Sequence, residues 1–183
     1  GIVGYIGDKD CFPILIKGLQ RLEYRGYDSA GVAVFDGTDA IQIKKKKGKV
    51  EDLLAFVGDD VPTGSTGIGH TRWATHGPPN DVNAHPHTAR FGRLAMIHNG
   101  IIENYESLRT SLEANGHAFV SDTDTEVLIH LIDEVQSRTN ASVTDAVQMA
   151  LKEVEGAYAI AIIDANEPDL LIAARKSSPL VIG

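Results

Sequence analysis

The stretch Gly1-Ile2-Val3-Gly4-Tyr5-Ile6-Gly7 sets the first element of the fold, because it is short, apolar and bounded by glycines. These features are typical of a buried β-strand. Further strand-like segments follow at 29–35, 41–47, 67–71, 94–98, 158–163 and 170–174. The turn residues Asp36-Gly37 join the first two of these segments into a strand pair.

A first helix is predicted between Pro13, which suits an initial helical turn, and Gly26, which stops it. Leu15, Leu19 and Leu22 lie on one face of this segment at helical spacing. Their spacing therefore predicts an amphipathic helix directly after the first strand.

Three more helices are predicted in the middle of the chain, with apolar faces in 105–112, 127–135 and 143–154. Asn115-Gly116 ends the first of them with a left-handed stop, and Gly156 ends the third. Thr123 and Glu126 form a capping box at the start of the second. Because strands occur at the start, middle and end while helices form a central run, the order predicts an α+β fold with helix-covered sheets.

The composition is that of one ordinary globular domain over residues 1–183, with 43% hydrophobic and 23% charged residues. A formal net charge of −8 excludes nucleic acid and anionic membranes as expected partners, because both are negatively charged. The run Lys44-Lys45-Lys46-Lys47 is a local exception that can bind phosphate. We interpret it instead as a solvated edge strand that its lysines protect from pairing.

Cys11 is the only cysteine, so no internal disulfide can form, and a reducing compartment is favoured. No apolar run approaches the length of a membrane span and no charged-then-apolar leader opens the sequence, so we expect a cytoplasmic protein. Cys11 lies near a helix start, which can lower the pKa of a thiol and create a nucleophile. We interpret it as a small, partly buried residue instead.

Polar residues that can take part in catalysis or ligand binding are concentrated in three blocks. The blocks are His70-Thr71-Arg72-Trp73-Ala74-Thr75-His76-Gly77, Asn83-Ala84-His85-Pro86-His87 and His98-Asn99-Gly100. Each residue alone has an ordinary explanation, such as a core histidine, an arginine stacked on tryptophan, or a tight turn at the Asn-Gly pair. Five of the seven histidines fall here, beside the ends of apolar strands where loops carry function, so the clustering predicts a site.

One chemistry that fits these blocks is a metal site. His85-x-His87 places two imidazoles on one side of an extended segment, and other histidines lie nearby in sequence. However, the chain has no His-Glu-x-x-His pattern, and Asp81 is the only carboxylate between Arg72 and Gly100. We therefore expect neither a metal nor another cofactor.

The other chemistry is recognition of an amino acid and hydrolysis of its side-chain amide. Arg72 can hold an α-carboxylate with two hydrogen bonds, and an acid such as Asp124 can hold the α-ammonium. The Asn99 side-chain amide and the Gly100 N–H can together form an oxyanion hole. Spacing alone does not show whether these residues meet in space.

Longer motifs resemble the glutaminase domain of the glutamine–fructose-6-phosphate aminotransferase family, in the same order and over essentially the whole chain. The matching stretches are 1–7, 21–31, 70–77, 83–87, 98–104, 121–126 and 178–183. Arg-Trp-Ala-Thr-His-Gly at 72–77 and Asn-Ala-His-Pro-His at 83–87 are far more specific than a single loop pattern. The resemblance implies an N-terminal-nucleophile hydrolase, in which two antiparallel sheets are sandwiched between helix layers.

The resemblance also implies the role of each site residue. Asn99 and the N–H of Gly100 would stabilise the oxyanion. Trp73 would lie on the loop that closes over the substrate, and Arg25 would steady the end of the chain that carries the nucleophile. The substrate L-glutamine, or its product L-glutamate, would be held by Arg72, Thr75, His76 and Asp124.

In this family the nucleophile is a cysteine that is the first residue of the mature chain, directly ahead of the glycine that matches Gly1. Its own α-amine can act as the base, because that group titrates near pH 8. We therefore expect a polypeptide that begins at Gly1 to bind glutamine without hydrolysing it. Two alternatives stay open: a catalytically inactive glutamine-binding module, and a histidine-based metallohydrolase.

The apolar ending at 179–183 predicts that the protein continues beyond the given sequence. By resemblance, the part that follows contains the C-terminal sugar isomerase domains, which form the partner of this domain. The intact enzyme would then make glucosamine 6-phosphate from fructose 6-phosphate and glutamine, as a homo-oligomer.

Overall fold

The computed structural model describes residues 1–38 and 40–183, except for the side chain of Arg25. Two four-stranded antiparallel sheets form its centre. The first contains, in spatial order, β1 (Ile2–Ile6), β4 (Thr66–Arg72), β2 (Ser29–Phe35) and β3 (Gln42–Lys47). The second contains β5 (His87–Thr88), β6 (Leu94–Ile102), β7 (Gly156–Asp164) and β8 (Leu171–Lys176).

In the described residues, five α-helices cover the outer faces of the two sheets. The first sheet is covered by α1 (Cys11–Leu22) and α2 (Val50–Val57). On the second, α4 (Asp124–Thr139) packs against the sheet, and α3 (Tyr105–Ala114) and α5 (Val143–Lys152) pack against α4. The predicted α+β fold, with two antiparallel sheets between helix layers, is confirmed. No helix in the described part of the chain is both long and apolar enough to cross a bilayer.

The core has three layers that follow from this arrangement. Leu15 and Leu19 of α1 pack against the first sheet, and Leu128 and Ile132 of α4 pack against the second. The layer between the sheets is apolar along most of its length, and its buried residues are Ala33, Phe35, Ile41, Ile68, Ala95, Ile97, Ala161 and Ile163. Burying the phenylalanine and isoleucine side chains of this layer contributes about 1.5–3 kcal/mol each, which holds the sheets face to face.

Strand β4 shows how the sequence builds two layers at once. Gly67 and Gly69 face α1, where an added Cβ would lie 2.7 Å from the Cys11 sulfur and 3.2 Å from Leu19, respectively. The absence of side chains at these positions lets α1 pack close to the sheet. Because strand side chains alternate, Ile68 faces the second sheet instead, and so do the residues at 70 and 72.

Two sequence predictions about local structure are corrected. The helix α2 was not predicted, although Val50, Leu53 and Val57 recur at helical spacing and are buried. Only half of the capping box forms, because Thr123 caps the Glu126 N–H while the Glu126 carboxylate turns elsewhere. The Glu126 carboxylate instead accepts hydrogen bonds from the backbone N–H groups of residues 120 and 121, which lie in the loop ahead of α4.

The lysine run lies on β3, an edge strand as predicted, but it is less solvated than expected. Lys45 Nζ donates to the carbonyl oxygens of Val82 at 3.0 Å and Ala84 at 2.8 Å, and burial lowers its pKa to about 8. Lys46 Nζ contacts Asp81 at 2.7 Å. The run therefore fastens the loop at 80–85 to the sheet.

We predict that Arg93 fastens α4 to the second sheet. Its guanidinium donates to the buried Asp164 at 2.6 Å and to Asp133 of α4 at 3.3 Å. Arg93→Met leaves a buried carboxylate unpaired, so we expect a loss of about 2–3 kcal/mol in the free energy of unfolding. Lys44→Met is the control, since its partner Asp60 is 83% exposed and the expected loss is below about 1 kcal/mol. Equal losses in urea titrations of the two variants would contradict this role.

Candidate active site

A cavity of about 310 Å³ opens at the end of the sandwich where β4, β6 and the start of α4 meet. It is the place where most of the predicted site residues come together. Its lining consists of Gly1, Gly26, His70, Thr71, Arg72, Trp73, Thr75, His85, His98, Asn99, Gly100, Thr123, Asp124 and Thr125. Six predicted residues are in this lining, and His76 lies beside it through its contact with Asp124.

The first wall of the cavity is built by the pairing of β1 with β4. Ile2 lies opposite His70, and Gly1 exchanges two backbone hydrogen bonds with Thr71, at 2.6 and 3.0 Å. A Cβ on Gly1 would meet Leu22 of α1 at 2.6 Å, so this position faces the helix layer. By alternation, Ile2, His70 and Arg72 face the second sheet and the cavity.

The second wall is built by β6, which runs straight through Asn99 and Gly100. Interpreting this pair as a tight turn is therefore wrong. Asn99 shares the inward face of β6 with Ala95 and Ile97, and its Oδ1 lies 2.7 Å from His70 Nε2 across the gap between the sheets. Gly100 has φ 134°, and a Cβ there would lie 2.0 Å from the Ala157 carbonyl oxygen. This close approach of β7 requires glycine.

Arg72 lies at the end of β4 and is only 4% exposed. One terminal nitrogen, Nη2, donates to the carbonyl oxygens of His76 and Gly77, so it holds the loop that follows β4. The other, Nη1, lies 3.8 Å from Asp28 and is buried without a hydrogen-bond partner. Burial lowers the pKa of Arg72, and Asp28 and Asp124 oppose that shift. An anion in the cavity would satisfy Nη1.

Asp124 is the first residue of α4, where Thr123 caps the helix. Its Oδ2 accepts a hydrogen bond from Ile102 N–H at 2.8 Å, and its side chain is 4% exposed. Among the described residues, the nearest basic groups are the Nδ1 atoms of His76 and His98, at 3.9 and 4.0 Å, and no lysine or arginine is closer. A cation in the cavity would pair with this buried carboxylate.

The rim of the cavity holds the remaining predicted residues. Trp73 is 70% exposed, and its ring packs over Gly26, where an added Cβ would lie 2.4 Å from the indole. Thr75 is exposed beside it, and the His76 ring contacts Tyr105 edge-on at 4.8 Å. Arg25 ends a short 3-10 turn, but its side chain lies outside the described residues, so its supporting role stays a prediction.

A buried histidine network behind the cavity was not assigned any role from the sequence. The backbone N–H of His98 donates to His85 Nδ1 at 3.4 Å. A neutral His85 ring therefore carries its proton on Nε2, and this nitrogen contacts the Thr125 hydroxyl at 3.2 Å. The Thr125 hydroxyl hydrogen is then directed to His98 Nδ1 at 3.0 Å. This leaves His98 Nε2 as a buried donor without a partner in a residue that lines the cavity.

The sequence contained a signal for one wall of the cavity. His70 lies in the predicted strand 67–71, and Arg72 follows two residues later, so extending that strand by one residue places both on one face. The contacts of His85 and His98 with Thr125 depend on tertiary packing over 27–40 residues and leave no local pattern.

The histidines do not form the metal site considered from the sequence. The rings of His70 and His85 stack at 4.3 Å, and those of His85 and His87 meet edge-on at 5.0 Å. His87 Nε2 contacts Thr123, His85 Nε2 contacts Thr125, and His70 Nε2 contacts Asn99, so these three ring nitrogens already have partners other than a metal. Within the described residues, no three His, Cys, Asp or Glu side chains form a group suited to a metal ion.

Cys11 is fully buried on the opposite, helix-facing side of the first sheet. Burial, reinforced by Asp10, raises the pKa of its thiol to about 12. Cys11 is therefore a packing residue that is fully rather than partly buried, and its inaccessible thiol does not reach this cavity.

Sequence comparison places the chain in a family. A family model described as a glutamine amidotransferase domain matches residues 70–182, a range that includes Arg72, Asn99, Gly100 and Asp124 but not β1. The chain belongs to the glutamine amidotransferase family. It is 57% identical over 183 residues to a glutamine–fructose-6-phosphate aminotransferase (isomerizing) of Bacteroides thetaiotaomicron, and 54% identical over 187 residues to that of Chlorobaculum tepidum. Each alignment covers all of this chain and 30% of the relative, so the amidotransferase domain spans about a third of the relatives' length.

Structural comparison agrees with this assignment. The glutamine phosphoribosylpyrophosphate amidotransferase of B. subtilis superimposes with a TM-score of 0.78 at 29% identity, over 90% of this chain and 35% of that chain. The fold predicted for the amidotransferase domain, an N-terminal-nucleophile hydrolase sandwich, is thereby confirmed.

The buried histidines predict a specific pH dependence of stability. Burial lowers the pKa of His70, His85 and His87 well below the ordinary value of 6.5, and it also lowers the pKa of His98. These rings bind protons more weakly in the folded than in the unfolded chain, so stability is complete above about pH 6.5 and is lost as pH falls below it. Between about pH 7 and pH 5, each ring that stays neutral should cost roughly 2 kcal/mol of unfolding free energy.

Urea titrations at several pH values measure this dependence. His87→Gln removes one such ring, so its free energy of unfolding should change less between the same two pH values. Equal stability of the unsubstituted protein at both pH values would contradict the neutral state of the buried rings.

Proposed function

We propose that this domain hydrolyses the side-chain amide of L-glutamine to L-glutamate and ammonia. The observation that carries the proposal is the polarity of the cavity, which offers a buried arginine with one terminal nitrogen free of hydrogen bonds and a buried carboxylate near one end. At the other end it offers two N–H donors beside the start of β1. An α-amino acid with a side-chain amide matches these groups in both charge and hydrogen bonding.

The substrate is proposed to bind with its α-carboxylate on Arg72 Nη1 and its α-ammonium on Asp124. Its side chain then extends along the cavity, so that the amide oxygen lies between Asn99 Nδ2 and the Gly100 N–H. Thr75 and His76 would contact the polar end of the substrate from the rim, and Trp73 would cover it. Pairing both charges in a buried site offsets the cost of their desolvation.

The nucleophile is proposed to be a cysteine directly ahead of Gly1. Continuing the β1–β4 register by one residue sets that position opposite Arg72, on the face shared by Ile2 and His70. Its side chain would therefore face the cavity, close to Asn99. No other thiol of the described residues reaches this side of the first sheet.

The proposed reaction has two steps. The thiol proton passes to the cysteine's own α-amine, and the thiolate attacks the amide carbon of glutamine. Asn99 and Gly100 stabilise the resulting oxyanion, after which the C–N bond breaks and ammonia leaves with the proton from the α-ammonium. Water then attacks the thioester, releasing glutamate and restoring the thiol.

The role of the domain in a longer protein is a second part of the proposal. The relatives named above are aminotransferases of fructose 6-phosphate and about three times as long. We infer that the ammonia formed here passes to a sugar isomerase partner in the same chain, where fructose 6-phosphate becomes glucosamine 6-phosphate. We propose a homo-oligomeric parent enzyme in the cytoplasm, in contact with neither nucleic acid nor membrane.

Binding of the amino acid should depend on Arg72. Arg72→Ala leaves the α-carboxylate unpaired in a buried site, so we expect a loss of about 2–4 kcal/mol, or roughly 30- to 1000-fold in Kd for glutamate. Arg72→Lys keeps the charge but loses the planar geometry, and should also weaken binding. Calorimetric titration measures both, with Arg138→Ala on the exposed end of α4 as the control. An unchanged Kd in Arg72→Ala would remove this residue from the substrate site.

Turnover should depend on Asn99 far more than binding does, because an oxyanion donor acts mainly on the transition state. We expect Asn99→Ala to lower kcat by about 100- to 1000-fold with little change in KM. The measurement is ammonia release by the chain carrying an amino-terminal cysteine, alongside its unfolding midpoint. Asn115→Ala at the exposed end of α3 is the control. A merely structural Asn99 would give lower stability with normal kcat.

The nucleophile proposal is tested by three polypeptides: one that begins at Gly1, one with a single free cysteine ahead of Gly1, and one in which that cysteine follows a longer extension. Only the second should release ammonia, because the extension converts the α-amine into an amide that cannot accept a proton. Ammonia release by the first polypeptide that disappears in Cys11→Ser would contradict this proposal. Glutamine binding without turnover in all three would instead indicate an inactive binding module.

A further inference from the structure

We propose that His70 is a positioning residue, whose Nε2–H holds the Asn99 side chain so that its amide nitrogen faces the reacting oxygen. This inference rests on the proposed function and assigns a role to a residue outside the predicted site. His70 Nε2 and Asn99 Oδ1 lie 2.7 Å apart, across the gap between the two sheets.

The direction of this hydrogen bond fixes the orientation of the amide. Oδ1 of Asn99 can only accept, so His70 Nε2 must carry the proton. A ring protonated on Nε2 and neutral overall has a bare Nδ1, which agrees with the buried, unpartnered state of that atom. With Oδ1 engaged, Nδ2 points away from His70, and none of the hydrogen bonds found among the described residues uses it.

The ring of His70 is itself held in place. It stacks on His85 at 4.3 Å with 26° between the ring planes, and His85 is fixed by the His98 N–H and by Thr125. His70 is 2% exposed, and burial keeps the pKa of its ring well below the usual value. The imidazole therefore remains a neutral donor through the pH range of an enzyme assay.

Without His70, the Asn99 amide can rotate by half a turn and present its oxygen to the developing oxyanion. That orientation replaces an attractive N–H contact with repulsion between two oxygens. Rotation of the Asn99 amide therefore weakens stabilisation of the transition state but not substrate binding, because the two charged ends of the substrate contact other residues. His70 thus acts through Asn99 and touches neither the substrate nor the nucleophile in this role.

The first test does not need turnover. Nitrogen-15 NMR of the polypeptide that begins at Gly1 reports the tautomer of each histidine, and His70→Gln identifies the signals of His70. We expect the Nε2–H tautomer throughout about pH 5.5–8.5, and a shift of these signals in Asn99→Ala. A proton on Nδ1, or a charged ring near neutral pH, would overturn the inference whatever the activity.

The second test uses the chain with a free cysteine ahead of Gly1. His70→Phe keeps a ring for stacking but removes the donor, and should lower kcat by about 10- to 100-fold with KM within roughly threefold. His70→Gln retains an N–H at a similar distance and should recover at least part of that loss. The double variant His70→Phe with Asn99→Ala should be no slower than Asn99→Ala alone, because the two residues act as one unit.

Additive losses in the double variant, or a changed pH profile of kcat in His70→Gln, would show that His70 acts on the nucleophile itself and would overturn the positioning role. His117→Phe is the matched control, since that ring is similarly buried between α3 and α4, away from the cavity, and its kcat should be normal. Inactivity of the unsubstituted cysteine-bearing chain would contradict the proposed function, while the NMR measurement would still decide the His70 contact.

Discussion

The alternation of side chains along β4 is the constraint on which the rest of the structure depends. One face of this strand carries Gly67 and Gly69, which admit α1, and the other carries Ile68, His70 and Arg72. Ile68 fills the gap between the two sheets. His70 and Arg72 line the cavity at the end of that gap. A shift of register by one residue would place the arginine under a helix and the glycines between the sheets.

The site is stabilised less well than the core around it, and this has a physical reason. Arg72 Nη1, His70 Nδ1, His76 Nδ1 and His98 Nε2 are buried without hydrogen-bond partners in the described part of the chain. Each such group destabilises the folded protein by about 1–3 kcal/mol unless a ligand satisfies it. The apolar layers on both sides compensate for this loss, so the fold can keep donors and charges ready for a substrate.

Much of this arrangement could be predicted from the sequence, because strand and helix periodicities are local. Within the described residues, seven of the eight strands and four of the five α-helices were predicted, whereas the two-residue β5 and the short α2 were not recognised. The half-formed capping box shows the limit of such reasoning, because the Glu126 carboxylate bonds to whichever N–H groups the preceding loop brings near it. The motif resemblance indicated Arg72, Asn99 and Asp124, but only tertiary packing brings these three residues, from β4, β6 and α4, to one cavity.

The central claim is that one glutamine spans this cavity from Arg72 and Asp124 to Asn99 and Gly100. A crystal structure of the polypeptide that begins at Gly1, with L-glutamate bound, tests it most directly. The account predicts the α-carboxylate on Arg72 Nη1, the α-ammonium on Asp124, and one side-chain oxygen within hydrogen-bond distance of Asn99 Nδ2 and the Gly100 N–H. Glutamate bound in the reverse direction, or outside this cavity, would contradict it.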